Sequence, residues 1–145
     1  MSEYHVPVLL NESVSALNIE ENRNGIFIDA TFGGGGHSRE ILSRLGEKGK
    51  LIAFDRDSDA IANAPKDKRL ILIHNNFRFV QNFVRQLGFI GKIDGILGDL
   101  GVSSHQFDTG ERGFSFRFDA PLDMRMNQLA PKSAANVVNE YSQEE

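Results

Sequence analysis

The segment Gly25–His37 leaves little freedom in what this chain can build. Ile26-Phe-Ile28 is a short apolar run of strand-forming residues that closes on Asp29 and passes through Ala-Thr-Phe into Gly33-Gly-Gly-Gly36. Ile41, Leu42 and Leu45 then recur at helical spacing. A strand ending in a carboxylate, a glycine turn and a helix make the first unit of a nucleotide-binding parallel α/β sheet. Glycine serves such a turn in two ways: it omits Cβ where a ligand meets the backbone, and it accepts positive φ.

Spacing separates the chemistries that use such a turn. A phosphate-binding Walker loop needs Gly-Lys-Ser/Thr after the glycines, and His37-Ser38-Arg39 does not supply it. A dinucleotide fingerprint needs G-x-G-x-x-G/A, and the last position falls on Ser38 or Arg39 in the two registers available. The pattern D-x-x-x-G-x-G does fit, through Asp29, Gly33 and Gly35. It is the first motif of S-adenosylmethionine-dependent methyltransferases. An ordinary strand-to-helix glycine loop is the plain alternative.

At 145 residues, 40% hydrophobic and 25% charged, the chain suits a small globular fold. No apolar run approaches the ~20 residues of a membrane span, and Met-Ser-Glu-Tyr-His lacks the basic and apolar regions of a signal peptide. With no cysteine there is neither a disulfide framework nor a thiolate metal site, and no histidine pair has metal spacing. A cytoplasmic protein without a metal is the expectation. Net charge is −4 but unevenly placed. Residues 37–95 carry 11 Lys and Arg against 7 Asp and Glu, whereas 96–145 carry 4 against 8. A basic first half suits a phosphate-bearing partner, or is simply solvated charge.

The pattern alternates strand and helix, which predicts a parallel sheet with right-handed crossovers. Helices are expected near 11–17, 38–45, 58–64 and 77–87, and strands at 26–30, 50–54, 70–74 and 92–97. Phe77, Val80, Phe83, Val84 and Leu87 form one apolar stripe. Residues 101–127 show no clean period, and Ser133 reads as the N-cap of a last helix to Tyr141. An open sheet of four strands leaves strand four as an uncovered edge. The expected division is 1–100, a Rossmann-like half-domain, and 101–145, an active-site loop leading into a substrate-recognition region.

Ligands of such sheets bind beyond the carboxyl ends of the strands. Asp55, closing strand two, is placed to accept both ribose hydroxyls of a nucleoside held over the glycine loop; otherwise it is a surface acid opening the next helix, the role expected of Asp57. Asn75-Asn76-Phe77 follows strand three, where an aromatic ring packs on a purine, although Phe77 equally fits the core stripe. Asp99, after strand four, is the candidate to hold the acceptor or the methionine part, with a helix cap as its alternative. A carboxylate accepting from an exocyclic amine orients that amine and stabilises developing positive charge.

His5-Val-Pro-Val-Leu-Leu10, Asp29–Ser38, Asp55-Arg-Asp57, Asp94-Gly-Ile-Leu97, Asp99–Ser104, Arg112-Gly-Phe-Ser-Phe116 and Pro121-Leu-Asp-Met-Arg-Met126 together resemble the bacterial 16S ribosomal RNA cytosine-N4 methyltransferases, the RsmH/MraW family. The last two segments are specific to that family. The resemblance covers its N-terminal half and implies a class I methyltransferase sheet truncated after about four strands. It also implies S-adenosylmethionine as cofactor, and as acceptor N4 of a decoding-region cytidine in the small ribosomal subunit. It implies cofactor contacts at Gly35, Gly36, His37, Asp55, Phe77, Asp99 and Gln106, alongside Gly33 of the motif. Gly34 stands where the family usually has a basic residue, Gly98 where a large apolar one is common, and His105 where many members have proline.

Many amino-methyltransferases carry Asp/Asn-Pro-Pro-aromatic after strand four, whereas Asp99-Leu-Gly-Val lacks the aromatic. Phe114 or Phe116 is therefore expected to stack on an extruded base, with Arg112, Arg117 and Arg125 on the RNA backbone. The alternative makes both phenylalanines hydrophobic contacts to a further domain. His5 stays outside the catalytic set, and His74 reads as a strand-end residue. Three functions compete: the RNA methyltransferase, a half-length chain that binds the donor weakly or not at all and catalyses nothing, and a nicotinamide oxidoreductase, disfavoured by Ser38 and Arg39. A partner chain or a homodimer covering strand four is left open.

Overall fold

Strands that are apolar on both faces fold only where helices cover both faces. Ile26–Asp29 (β1), Lys50–Asp55 (β2), Leu70–His74 (β3) and Gly95–Leu97 (β4) form one parallel sheet of order β3-β2-β1-β4, in which the central strands β1 and β2 meet that condition. The computed structural model describes residues 7–62 and 64–144, so His5 and Asn63 lie outside the described residues. The remaining elements are α1 (Leu10–Ser15), α2 (Gly36–Arg44), α3 (Ser58–Ala62), α4 (Val80–Gln86), α5 (Ser104–Asp108) and α6 (Ala134–Glu140), with 3-10 turns at Ile19–Glu21, Phe77–Phe79 and Gly110–Arg112. Packing divides the chain into one compact unit up to Leu100 and another from Gly101.

In the first unit the two-residue period of β1 and β2 sends alternate side chains to opposite faces. Phe27 and Leu51 pack with Val14, Ile19, Ile41 and Leu42 from the α1 and α2 side. Ile28, Ile52 and Phe54 pack with Val80, Phe83, Val84 and Leu87 from α4. Phe54 meets Phe83 edge-on at 5.8 Å, and each such buried side chain contributes about 1.5–3 kcal/mol. The expected stripe on α4 holds except for Phe77, which is 40% exposed and stands outside it. The helix expected over 77–87 begins as a 3-10 turn, because Asn76 caps it by accepting from Arg78 N at 2.9 Å.

The register brings Asp29 level with Ala53 and Leu97, and Asp55 level with His74. Strand four is shorter than expected, starting at Gly95 rather than Lys92. Asp94, just before it, is turned to another use: its carboxylate accepts from Ile26 N at 2.7 Å and Asn22 Nδ2 at 2.9 Å, tying the start of β1 to β4. β4 is an edge strand, with Ile96 59% exposed. At the other end of α2, Arg23 Nε donates to Arg44 O at 3.0 Å and Arg69 Nη1 to Leu45 O at 2.8 Å. Two cations thus cap the last carbonyls of that helix, where its dipole favours positive charge.

In the second unit the stretch without periodicity contains α5, closed by a capping box in which Ser103 Oγ accepts from Gln106 N and Gln106 Oε1 accepts from Ser103 N. Ser133 caps α6 in the same way with Asn136, as its sequence position predicts. Among the described residues no helix is long and apolar enough to cross a membrane.

Candidate cofactor site

The parallel strands deliver their carboxyl ends to one rim of the first unit in the order Phe77 after β3, Asp55 on β2, the glycine loop after β1 and Asp99 after β4. That order is a consequence of topology, since neither Asp55 nor Asp99 is near Asp29 in the chain.

The glycine loop is held from below. Asp29 is completely buried; its Oδ1 accepts from Thr31 N at 3.0 Å and its Oδ2 from Ser38 Oγ at 2.6 Å. Burial pushes the Asp29 carboxyl above its ordinary value, against the lowering by Ser38 and Thr31. The loop is also held from its sides: Gly33 N donates to Asp55 Oδ2 at 2.7 Å, and Arg39 Nη1 to Gly34 O at 2.6 Å. Positive φ is needed at Gly33 (52°) and Gly35 (75°). A Cβ at Gly35 would lie 2.8 Å from the Phe32 ring, and one at Gly36 would run into the Pro7 ring, so these two glycines are required by the protein's own packing. Among the described residues a Cβ at Gly33 would have only Thr31 O near it, at 3.8 Å, and one at Gly34 would meet nothing within 4 Å, so they leave this side of the loop open.

His37 opens α2 and is buried, with Nδ1 4.0 Å from Asp99 Oδ2. Its Nε2 is buried and has no hydrogen-bond partner among the described residues. Asp99 itself is 58% exposed, with its N–H donated to Thr31 Oγ1 at 2.7 Å. Asp55 has spent one lone pair on Gly33 N and another on Asp57 N at 2.8 Å, which leaves acceptor capacity on both oxygens. Asp57 Oδ1 accepts from Asp59 N at 3.1 Å at the start of α3, the helix-opening role expected of it. His74 ends β3, its Nε2 3.0 Å from Arg56 O. An open glycine turn, an acid beside it and an exposed aromatic fit the adenosyl part of a methyl-donor cofactor.

The expected RNA contacts lie in the second unit and are less uniform. Arg112 is buried, not displayed: its Nη2 donates to Arg125 O at 3.0 Å and Met126 O at 3.2 Å, and its backbone O accepts from Met124 N at 3.0 Å. Its guanidinium and its carbonyl thereby join the segments 112–116 and 121–126. Arg125 is paired bidentately with Asp123, at 2.9 and 2.7 Å, and donates to Ala130 O at 2.8 Å. That pair holds the Asp123 carboxyl below its ordinary value. The Arg112 guanidinium lies 5.9 Å from the Phe114 ring centroid, whereas Phe116 is fully exposed. Gln106 is buried and its carboxamide oxygen serves the capping box of α5. Sequence reasoning missed Thr31 and Ser38 as the partners of Asp99 and Asp29; the one available signal was two hydroxyl residues inside the segment Asp29–Ser38.

Residues 2–145 match the profile of the MraW methylase family. The chain is 57% identical over 141 residues to "Ribosomal RNA small subunit methyltransferase H" of Parabacteroides distasonis, covering 97% of this chain and 46% of that protein. It is 60% identical over 143 residues to the protein of that name from Flavobacterium johnsoniae, covering 99% and 46%, and 59% identical over 145 residues to that of Christiangramia forsetii, covering 100% and 47%. The chain therefore spans about half the length of the curated relatives it matches. The four-stranded parallel sheet with its flanking helices, the glycine turn and these matches agree on one point: the chain belongs to the MraW methylase family.

Proposed function

We propose that this chain is the donor-binding part of an S-adenosylmethionine-dependent methyltransferase acting on N4 of a decoding-region cytidine in 16S ribosomal RNA, in the cytoplasm. The relatives' shared name supports ribosomal RNA as the substrate class. The observation that carries the donor assignment is the side of the loop at Gly33 that is open among the described residues, beside the Asp55 carboxylate. In this reading residues 1–100 hold the donor, and 101–145 form the active-site loop and the start of a helical substrate-recognition insertion.

The cofactor supplies, when bound, a methyl group on a sulfonium, whose transfer to an amine is an in-line displacement governed by positioning. Gly33, Gly35 and Gly36 present backbone without side chains, and Asp55 accepts the ribose hydroxyls on its remaining lone pairs. Phe77 lays its exposed ring on the purine, and His37, in the first turn of α2, stands at the end of the glycine loop where the rest of the cofactor would lie. Asp99 accepts from the exocyclic amine of the cytosine, orienting that amine and stabilising positive charge as it develops. Phe116 stacks on an unpaired base. Calorimetric titration with the donor, and nucleoside analysis of 16S ribosomal RNA after incubation with chain and donor, test the reading. Binding together with N4-methylcytidine supports it; no heat at millimolar donor, or a different methylated nucleoside, overturns it.

A second reading, that this length of chain binds the donor weakly and does not catalyse, is favoured by the exposed Ile96 on edge strand β4. Donor binding without transfer distinguishes it.

A further inference from the structure

The ladder between β1 and β4 ends early. Asp29 pairs with Leu97, and Ala30 N donates to Leu97 O at 2.8 Å as the two strands part. Gly98, Asp99 and Leu100 then run exposed along the edge of the sheet. Asp99 sits between glycines at 98 and 101, the residues least able to restrict a backbone. An acid that must orient an acceptor needs its main chain held, and among the described residues no strand lies on the outer side of β4 to hold it.

The hold comes from the inner side. Thr31 Oγ1 accepts the Asp99 N–H at 2.7 Å, a bond joining residues 68 positions apart. Thr31 is fixed in turn, because its own N–H is donated to Asp29 Oδ1 at 3.0 Å, and Asp29 is completely buried with Ser38 Oγ on its other oxygen at 2.6 Å. The order is thus a relay: α2 through Ser38, the buried carboxylate, Thr31, then Asp99. His37, one residue before Ser38 on the same helix, has Nδ1 4.0 Å from Asp99 Oδ2, so the relay closes on the group it positions.

We infer that Thr31 is a positioning residue whose hydroxyl fixes the backbone of Asp99 beside His37. The consequence for methyl transfer rests on the proposed role of Asp99; the hydrogen bond does not. Threonine is suited to the task because its β-branch restricts χ1, so the hydroxyl is already directed before Asp99 arrives. Valine has the same shape without the acceptor, and serine has the acceptor without the branch.

Amide hydrogen exchange by NMR on the chain, compared among the parent, Thr31→Val, Thr31→Ser and Thr31→Ala, tests the bond. Loss of one such bond is expected to speed exchange at Asp99 about five- to tenfold in Thr31→Val and Thr31→Ala, with Ile52 and Ala53 of β2 unchanged and Thr31→Ser within about twofold of the parent. Parent-like exchange at Asp99 in the Val and Ala variants overturns the inference, as does an equal rise at Ile52 and Ala53, which marks a general loosening. Where the parent transfers methyl groups, Thr31→Val lowers kcat with KM for the donor within about twofold, and Thr31→Ser restores it; an equal loss in Thr31→Ser overturns the positioning role. A parent that transfers nothing counts against the proposed function, and the exchange comparison still decides on Thr31.

Discussion

Asp55 Oδ2 accepts the backbone N–H of Gly33 at 2.7 Å, so the acid that closes the second strand also shapes the turn that follows the first. Asp55 therefore has a structural duty in addition to the proposed binding one, and the two respond differently to substitution.

Asp55→Asn keeps one acceptor oxygen, enough for Gly33 N but not for Asp57 N as well, and loses the charge that strengthens bonds to ribose hydroxyls. Charge-assisted bonds of about 1.5–3 kcal/mol predict a donor affinity lower by roughly ten- to 150-fold, with a smaller effect on unfolding free energy. Calorimetry paired with denaturant unfolding separates the two effects. An affinity equal to the parent's removes Asp55 from the site.

Gly35→Ala and Gly34→Ala should part company. At Gly35 a side chain meets both positive φ and the Phe32 ring, with a conformational cost of about 1–2 kcal/mol before any clash. At Gly34 a Cβ finds open space and no positive φ, so stability should stay within about 0.5 kcal/mol of the parent. Urea midpoints for the two variants decide this, and equal losses would contradict the loop geometry.

Two acids should pull the pH dependence of stability in opposite directions. Asp29 has a native pKa raised above 3.8, chiefly by burial, so the fold binds its proton more tightly than the unfolded chain does. Its contribution is greatest at low pH and declines as pH rises from 3.8 through the native value. Asp67 has a native pKa lowered to about 2 by its hydrogen bonds with Arg69, so its contribution is present above 3.8 and is lost as pH falls toward 2. Asp29→Asn should lack the first slope, gaining on the parent as pH rises, and Asp67→Asn should lack the second. Unfolding free energies measured from acid to neutral pH give the two slopes directly.

Phe116 and Arg112 make a contrasting pair in the second unit. Phe116→Ala removes a fully exposed ring, so stability should not change, whereas binding of a single-stranded cytidine-containing RNA should weaken by the roughly 1–3 kcal/mol of one stacked base. Arg112→Ala strands the carbonyls of Arg125 and Met126 and should destabilise that unit by about 2–3 kcal/mol. Fluorescence anisotropy with labelled RNA and thermal unfolding measure the two quantities. Unchanged RNA affinity in Phe116→Ala defeats the stacking role.

The strands and covering helices were legible because each repeats a local period: Ile26–Asp29 and Leu70–His74 by apolar, β-branched content, α4 by the spacing of Val80, Phe83, Val84 and Leu87. Caps were legible for the same reason. Ser133 lies three residues before Asn136, and Asp57 lies two before Asp59, so each bond is written within one turn of chain. The burial of Arg112 was not legible because it depends on carbonyls 13 and 14 residues away, and a sequence does not display the direction of a carbonyl.

By itself the sequence determined the parallel α/β class, the glycine turn with its acid, and the family, since all three depend on residue type and short spacing. Tertiary structure alone decided that Phe77 leaves its stripe, that Gly35 and Gly36 are glycines for internal packing, and that Asp29, Thr31 and Asp99 form one relay. Those outcomes are set by which backbone groups come within about 3 Å once distant strands lie side by side, and the strand order β3-β2-β1-β4 that places them there belongs to no single segment.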